Sequence, residues 1–217
     1  VAMGSGARAT GSASISIGLN AGTTPNSANA NNISIGSSAG FNVNGSVNIA
    51  IGESAGINIT GNTNQAFGQG AGSNITGNNI VTLGIQSGSG VSGNANTSFG
   101  SGNTGGQVVG NGNLALGTGA GVTVTGGVNT ANGYLTGNQV YGSNNVAMGR
   151  QAGSNIGSAA SPVTDTVSVG TSARAAANSA IAIGSNSTAS GTQSIAIGTG
   201  NQVSGNNSGA FGDPNVV

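Results

Sequence analysis

The sequence predicts an all-β chain that folds as a parallel β-roll, a β-solenoid with coils of about 14–16 residues. Three observations predict this fold: a repeated four-residue signature, an alternation of apolar and small residues, and 44 glycines among 217 residues. Glycine, Asn, Ser and Thr recur every few residues, which disfavours helix. Apolar residues placed at period two favour strands instead.

The signature reads apolar, small, apolar, glycine, as in residues 15–18, 33–36 and 49–52. It recurs from one end of the chain to the other at a nearly constant interval. A fixed period of this kind indicates a stack of equivalent structural units. The closing glycines of the copies are Gly4, Gly18, Gly36, Gly52, Gly68, Gly84, Gly100, Gly117, Gly133, Gly149, Gly170, Gly184, Gly198 and Gly212.

Each repeat has a second half. In the longer of the two common repeat forms an apolar residue follows the closing glycine by seven positions, and another glycine comes two positions later, as in Ile59 and Gly61 or Ile75 and Gly77. We therefore expect two short strands and two turns in every coil. Equivalent residues of successive coils should stack at about 4.8 Å, the spacing of strands in a sheet. Asn and Ser at the turns should then form hydrogen-bonded ladders.

Two of the repeats are longer still and contain Pro25 and Pro162. Proline fits a loop that leaves the coil better than it fits a strand, so we predict loop insertions near 23–30 and 157–166. The first repeat and the last three have 14 residues and flank a middle block near 16, which we interpret as a change of coil cross-section within one domain. The expectation is a single domain over 1–217 that is part of a longer fibre.

Composition disfavours most kinds of chemistry. Only 3% of the residues are charged, and the sequence has no Cys and no His. The sequence therefore has no Cys sulfur or His nitrogen that could bind zinc or act as a nucleophile. We expect no enzyme, no catalytic residue, no metal and no cofactor. The three arginines are too few to bind nucleic acid. The acidic residues Glu53, Asp165 and Asp213 lie far apart in the sequence.

The residue between the two apolar signature residues is always small. Strand side chains alternate between two faces, and we expect the apolar pair to fill the roll and the small residue to face outward. A size limit on an outward face suggests contact with another chain. A thin coil also leaves apolar surface exposed, which favours association of identical chains. The predicted contact positions are Ala50, Ala66, Ala115, Ala147, Ala182 and Ala196.

Residues 178–184, 193–198 and 210–215 resemble the head repeats of trimeric autotransporter adhesins of the YadA type. The resemblance implies a left-handed parallel β-roll and a side-by-side homotrimer. It also implies a head domain exposed on the outer membrane of a Gram-negative bacterium, with membrane contact only through segments outside this sequence. The implied function is adhesion to host extracellular matrix proteins, to cells or to inert surfaces, with self-association between bacteria.

The sequence leaves two alternatives open, a trimeric phage tail-fibre shaft and a passive structural spacer within the fibre. It does not identify a ligand. Asn, Gln, Ser and Thr supply groups that both donate and accept hydrogen bonds. We therefore expect attachment through many uncharged contacts that are strengthened by avidity.

Overall fold

The computed structural model describes residues 1–23, 29–212 and 214–217. It confirms an all-β parallel β-solenoid of about 13 turns, with no helix in the described residues. The predicted loop near 23–30 lies largely outside the part of the chain that is described. The chain divides into two compact units, Val1–Val108 and Val109–Val217. The single-domain organisation therefore stays a prediction.

Seven strands lie in the described residues of the first unit, and each falls on a copy of the signature. Its strands are β1 (Ala2–Met3), β2 (Ile15–Ile17), β3 (Ile33–Ile35), β4 (Ile49–Ile51), β5 (Gln65–Phe67), β6 (Val81–Leu83) and β7 (Thr97–Phe99).

The second unit holds both kinds of strand. The signature strands are β8 (Leu114–Leu116), β10 (Thr130–Asn132), β12 (Val146–Met148), β13 (Val167–Val169), β15 (Ile181–Ile183), β17 (Ile195–Ile197) and β19 (Gly209–Phe211). The strands of the second half are β9 (Val124–Thr125), β11 (Val140–Tyr141), β14 (Arg174–Ala175), β16 (Thr188–Ala189) and β18 (Gln202–Val203).

Strands of successive coils pair in parallel and in the register that the repeat predicts. Ile15 pairs with Ile33, and Ile33 with Ile49. In the second unit β9 pairs with β11, while β14, β16 and β18 form a further small sheet. In the first unit the second half of the coil makes only isolated parallel bridges, such as Thr60 to Thr76. Each sheet therefore runs along the stack, with one strand per coil.

The closing glycines lie where a side chain would not fit. Gly36 has φ of 130°, and a Cβ built on it would lie 2.5 Å from the carbonyl oxygen of Gly52 in the next coil. The backbone conformation and the close approach of the next coil both require glycine there. This position explains why the signature always ends in glycine.

Asparagine ladders form as predicted. On the surface, the Asn42 amide donates to Asn58 at 3.0 Å, and Asn58 donates to Asn74 at 2.9 Å. A buried ladder runs through Asn48 and Asn64, where the backbone N–H of Asn64 donates to Asn48 Oδ1 at 2.9 Å. No buried side-chain nitrogen or oxygen of the described residues lacks a hydrogen-bond partner.

The repeat that contains Pro162 leaves the coil briefly. Ser158 and Ser161 exchange backbone hydrogen bonds of 3.0 and 3.1 Å, which closes a tight turn over exposed residues. The chain is back in the coil at Val163, which is buried and whose N–H donates to the carbonyl of Tyr141 at 2.8 Å. The extra residues therefore form a surface loop and leave the stacking intact.

Candidate association face

The signature strands present alternate side chains to two different environments. In β4 the middle residue, Ala50, is buried, whereas Ile49 is half-buried and Ile51 is exposed. The same pattern holds for β15, with Ala182 buried and Ile183 exposed. The apolar pair of each signature therefore faces out of the coil, and the small residue faces in.

The predicted facing of these strands is wrong. All six alanines predicted as contacts with another chain lie inside their own coil, and each is at most 5% exposed. They have almost no surface left to offer a second chain. These residues are Ala50, Ala66, Ala115, Ala147, Ala182 and Ala196.

The narrow interior explains why the middle residue must be small. A Cβ built on Gly56, in the opposite wall of the coil, would lie 2.7 Å from the Cβ of Ala50 and 3.1 Å from Ile59 Cδ1. The same construction on Gly72 reaches the Cβ of Ala66 at 2.7 Å. The two walls are already in contact, so a larger inward residue would overpack the coil. The size limit comes from the coil itself.

We call the outward-facing first and third residues of the signature strands of each unit its outer ladder. In the first unit the third residues of β4 to β7 lie in register as Ile51, Phe67, Leu83 and Phe99. Ile51 is 36% exposed and Leu83 is 49% exposed. The third residues of the ladder therefore form a continuous apolar strip along the unit.

The second unit carries its own outer ladder. Its register runs from Met148 through Val169, Ile183 and Ile197 to Phe211. Strand β10 interrupts the apolar character, because its outward residues are Thr130 and Asn132. The apolar part of this ladder therefore spans β12 to β19.

An uncovered apolar strip on a parallel sheet is unusual. Parallel sheets usually have both faces covered. Here the small inward residues of the signature strands pack against the opposite wall of the coil, and the outer ladder is left facing solvent. A contiguous exposed apolar surface of this kind marks an interaction site. One sequence signal indicated this exposed strip: the chain has more apolar residues than such thin coils can enclose.

The acidic residues that the structure describes lie apart from each other. Glu53 accepts a hydrogen bond of 3.1 Å from Gln69, and Asp165 accepts one of 3.0 Å from Asn144. Glu53 lies in the first unit and Asp165 in the second, while Asp213 falls outside the described residues. Within the described part of the chain, no three acidic, His or Cys side chains come together as a metal site would need.

A comparison with protein-family models finds no match, and neither does a comparison with curated protein sequences. The described residues also contain no helix with the length and hydropathy needed to cross a bilayer. Any functional assignment therefore depends on the repeats and on the outer ladders.

Proposed function

We propose that the chain is a head segment of a trimeric bacterial adhesin, in which chains pack side by side through their outer ladders. The observation that carries the proposal is the exposed apolar strip, with Ile51, Leu83 and Phe99 in the first unit and Ile183 and Phe211 in the second. Covering such surface is favourable by about 25 cal/mol for each Å² removed from water. The coil itself has no further wall to cover it.

The number three and the left-handed winding come from the resemblance of the repeats to adhesin heads. A threefold arrangement is closed, and each chain contributes the same strip to the axis. The same resemblance supports a location on the outer surface of a Gram-negative bacterium. It also supports attachment to matrix proteins, cells or inert surfaces.

The uncharged polar surface supports an adhesive function. Exposed Asn58 and Asn74 present amides in a ladder, and Thr60 and Thr76 stack beside them. Each contact of this kind is weak. Three chains per fibre and many fibres per cell would combine weak contacts into firm attachment.

Sedimentation of the purified chain tests the association. We expect a trimer for the natural sequence and single folded chains for Leu83→Arg, because the variant would bury an unpaired charge at the contact. Ser92→Arg is the matched control, since Ser92 is exposed and lies in the other half of the coil. A folded monomer of the natural sequence, or a trimer of Leu83→Arg, would refute the association.

Attachment is tested separately. Beads coated with the purified chain should bind surfaces of collagen, fibronectin, laminin or plastic better than beads coated with Leu83→Arg. A trimer that attaches to none of these surfaces would instead support the passive spacer.

A further inference from the structure

A shallow polar groove crosses the second unit at the place where its coils become narrower. We call it the step groove. Its volume is about 380 Å³, and it is open to solvent. The residues used below are Leu135, Gln139, Gln151, Asn155, Ser172 and Arg174.

A change in coil width creates the step. After Gly149 the wide coil buries Ile156, seven residues beyond the glycine, whereas after Gly170 the narrow coil buries Ala175, only five residues beyond. Arg174 lies on the narrow coil, and its guanidinium donates to the carbonyl of Asn155 on the wide coil at 2.7 Å. This bond holds the cation at the step and leaves other guanidinium N–H groups available.

Arg174 carries a positive charge that the described part of the chain does not neutralise. No carboxylate of the described residues forms an ion pair with it. The acidic side chain of Asp165 is already bonded to Asn144 and Thr164. The step groove therefore has a net positive charge in a chain that has almost no charge elsewhere.

Free primary amides line the same groove as this cation. Gln139 and Gln151 are exposed, and no described residue hydrogen-bonds to either side chain. The side-chain amide of Asn155 is equally free. Each amide can donate and accept, which matches hydroxyl groups that also do both. Leu135 adds an apolar contact within the same groove.

We infer that the step groove binds an oligosaccharide that contains a carboxylate-bearing sugar. Arg174 pairs with the carboxylate through its planar fork of N–H groups. The amides of Gln139, Gln151 and Asn155 bind the hydroxyls, and Leu135 packs against a C–H face of a ring. A carboxylate matches one guanidinium in charge, whereas a phosphomonoester brings nearly two negative charges. The inference gives the proposed adhesin a class of ligand and so rests on that proposed function.

The first unit supplies an internal comparison. It has a groove of similar size, about 390 Å³, lined by Gly70, Ser73, Gln86, Ser89 and Asn103. That groove contains no charged residue. It should therefore give no preference for an acidic sugar over a neutral one.

Calorimetric titration of the purified chain tests the inference. The probes are 3′-sialyllactose and tetragalacturonic acid, with lactose as the neutral sugar and tetraglutamate as a carboxylate without a sugar. We expect at least one acidic sugar to bind at least about tenfold more tightly than lactose and tetraglutamate, because a charge-assisted pair adds to the hydroxyl contacts. The two acidic probes distinguish a sialic acid from a uronic acid.

Variants locate the binding. Arg174→Gln should weaken the acidic sugar about tenfold or more, and Arg174→Lys should weaken it less. Arg8→Gln should change nothing, although Arg8 also lies four residues after a closing glycine. Gln151→Ala provides a second test that leaves the bond from Arg174 to Asn155 intact, and it should weaken both acidic and neutral sugars.

Three results would overturn the inference: no acidic sugar binds at millimolar concentration, tetraglutamate binds as well as the sugars, or Arg174→Gln binds as well as the natural chain. Circular dichroism of each variant confirms that it is folded. Sedimentation of the same samples reports association independently. A failure of the ligand assignment is therefore distinguishable from a failure of the proposed trimer.

Discussion

Two regions of the molecule have coils of different width, and their interiors are packed with different residues. In the wide coils, between Gly36 and Gly100 of the first unit, stacked asparagines such as Asn42 and Asn58 are 16 residues apart. In the narrow coils, between Gly170 and Gly212 of the second unit, bonded residues of adjacent turns are 14 residues apart. The wide coils bury Ile59 together with the asparagine ladder, whereas the narrow coils bury mainly alanines. These alanines are Ala173, Ala175, Ala180, Ala182, Ala189, Ala196 and Ala210.

The outward residues do not follow this change. Ile49 and Ile51 face out of a wide coil, and Ile181 and Ile183 face out of a narrow one. The interior is rebuilt between the two regions, whereas these four outward residues are all isoleucine. The outward residues are therefore constrained by a contact outside the coil and not by the width of the coil. This supports association between chains.

The largest effect should come from reversing inside and outside in a narrow coil. Ala182→Arg places an unpaired charge in a fully packed interior, and we expect a loss of several kcal/mol, roughly 3–5, in the free energy of unfolding. Ile183→Arg changes the adjacent outward residue, and the variant should keep its β-sheet circular dichroism while losing association. If Ala182→Arg folded as well as Ile183→Arg, the assignment of faces would be wrong.

Much of the fold could be predicted because the signature fixes the phase of the repeat. Even the degraded copy at 130–132 forms strand β10 in register with its neighbours. Alternation could not predict which set of side chains points into the coil. A period of two separates the two sets but does not say which of them is inside. The distance between the two walls decides it: a Cβ built on Gly56 would already lie 2.7 Å from the Cβ of Ala50, and the sequence does not show that distance.

The step groove could not be found from the sequence for a related reason. Arg174 and Asn155 are 19 residues apart, and only the stacking of unequal coils brings them together. Coil length was visible in the sequence. The direction of the arginine side chain across the step was not.

The buried asparagine ladder, to which Asn64 belongs, distinguishes wide coils from narrow ones. Asn64 donates to the carbonyl of Gly77 at 2.9 Å and accepts from the N–H of Ile80 at 3.0 Å. Asn64→Ala would leave two backbone groups without partners, and we expect a loss of about 2–4 kcal/mol in the free energy of unfolding. Denaturant titration measures this loss.

The matched change in a narrow coil is Ser194→Ala. Ser194 lies at the same distance before its closing glycine as Asn64, and its hydroxyl makes a local bond of 2.6 Å to the carbonyl of Gly191. The preceding coil already has Ala180 at this position, so we expect a loss of only about 1 kcal/mol. Equal losses for Asn64→Ala and Ser194→Ala would show that the ladder gives the wide coils no special stability.

The smallest effect should come from a turn that both coil types share. The residue five positions before each closing glycine has positive φ in wide and narrow coils alike, for example 62° at Val47, 58° at Asn79 and 53° at Asn207. A branched residue is strained in this conformation, whereas asparagine tolerates it. We expect Val47→Asn to raise the free energy of unfolding by about 1 kcal/mol, and Asn79→Val and Asn207→Val to lower it by similar amounts. Because the strain belongs to the backbone and not to the coil interior, Asn79→Val in a wide coil and Asn207→Val in a narrow coil should lose similar free energies of unfolding. Denaturation midpoints of the three variants measure the effect. If only one of the two coil widths lost stability, the size of the loss would be set by the coil interior and not by the turn.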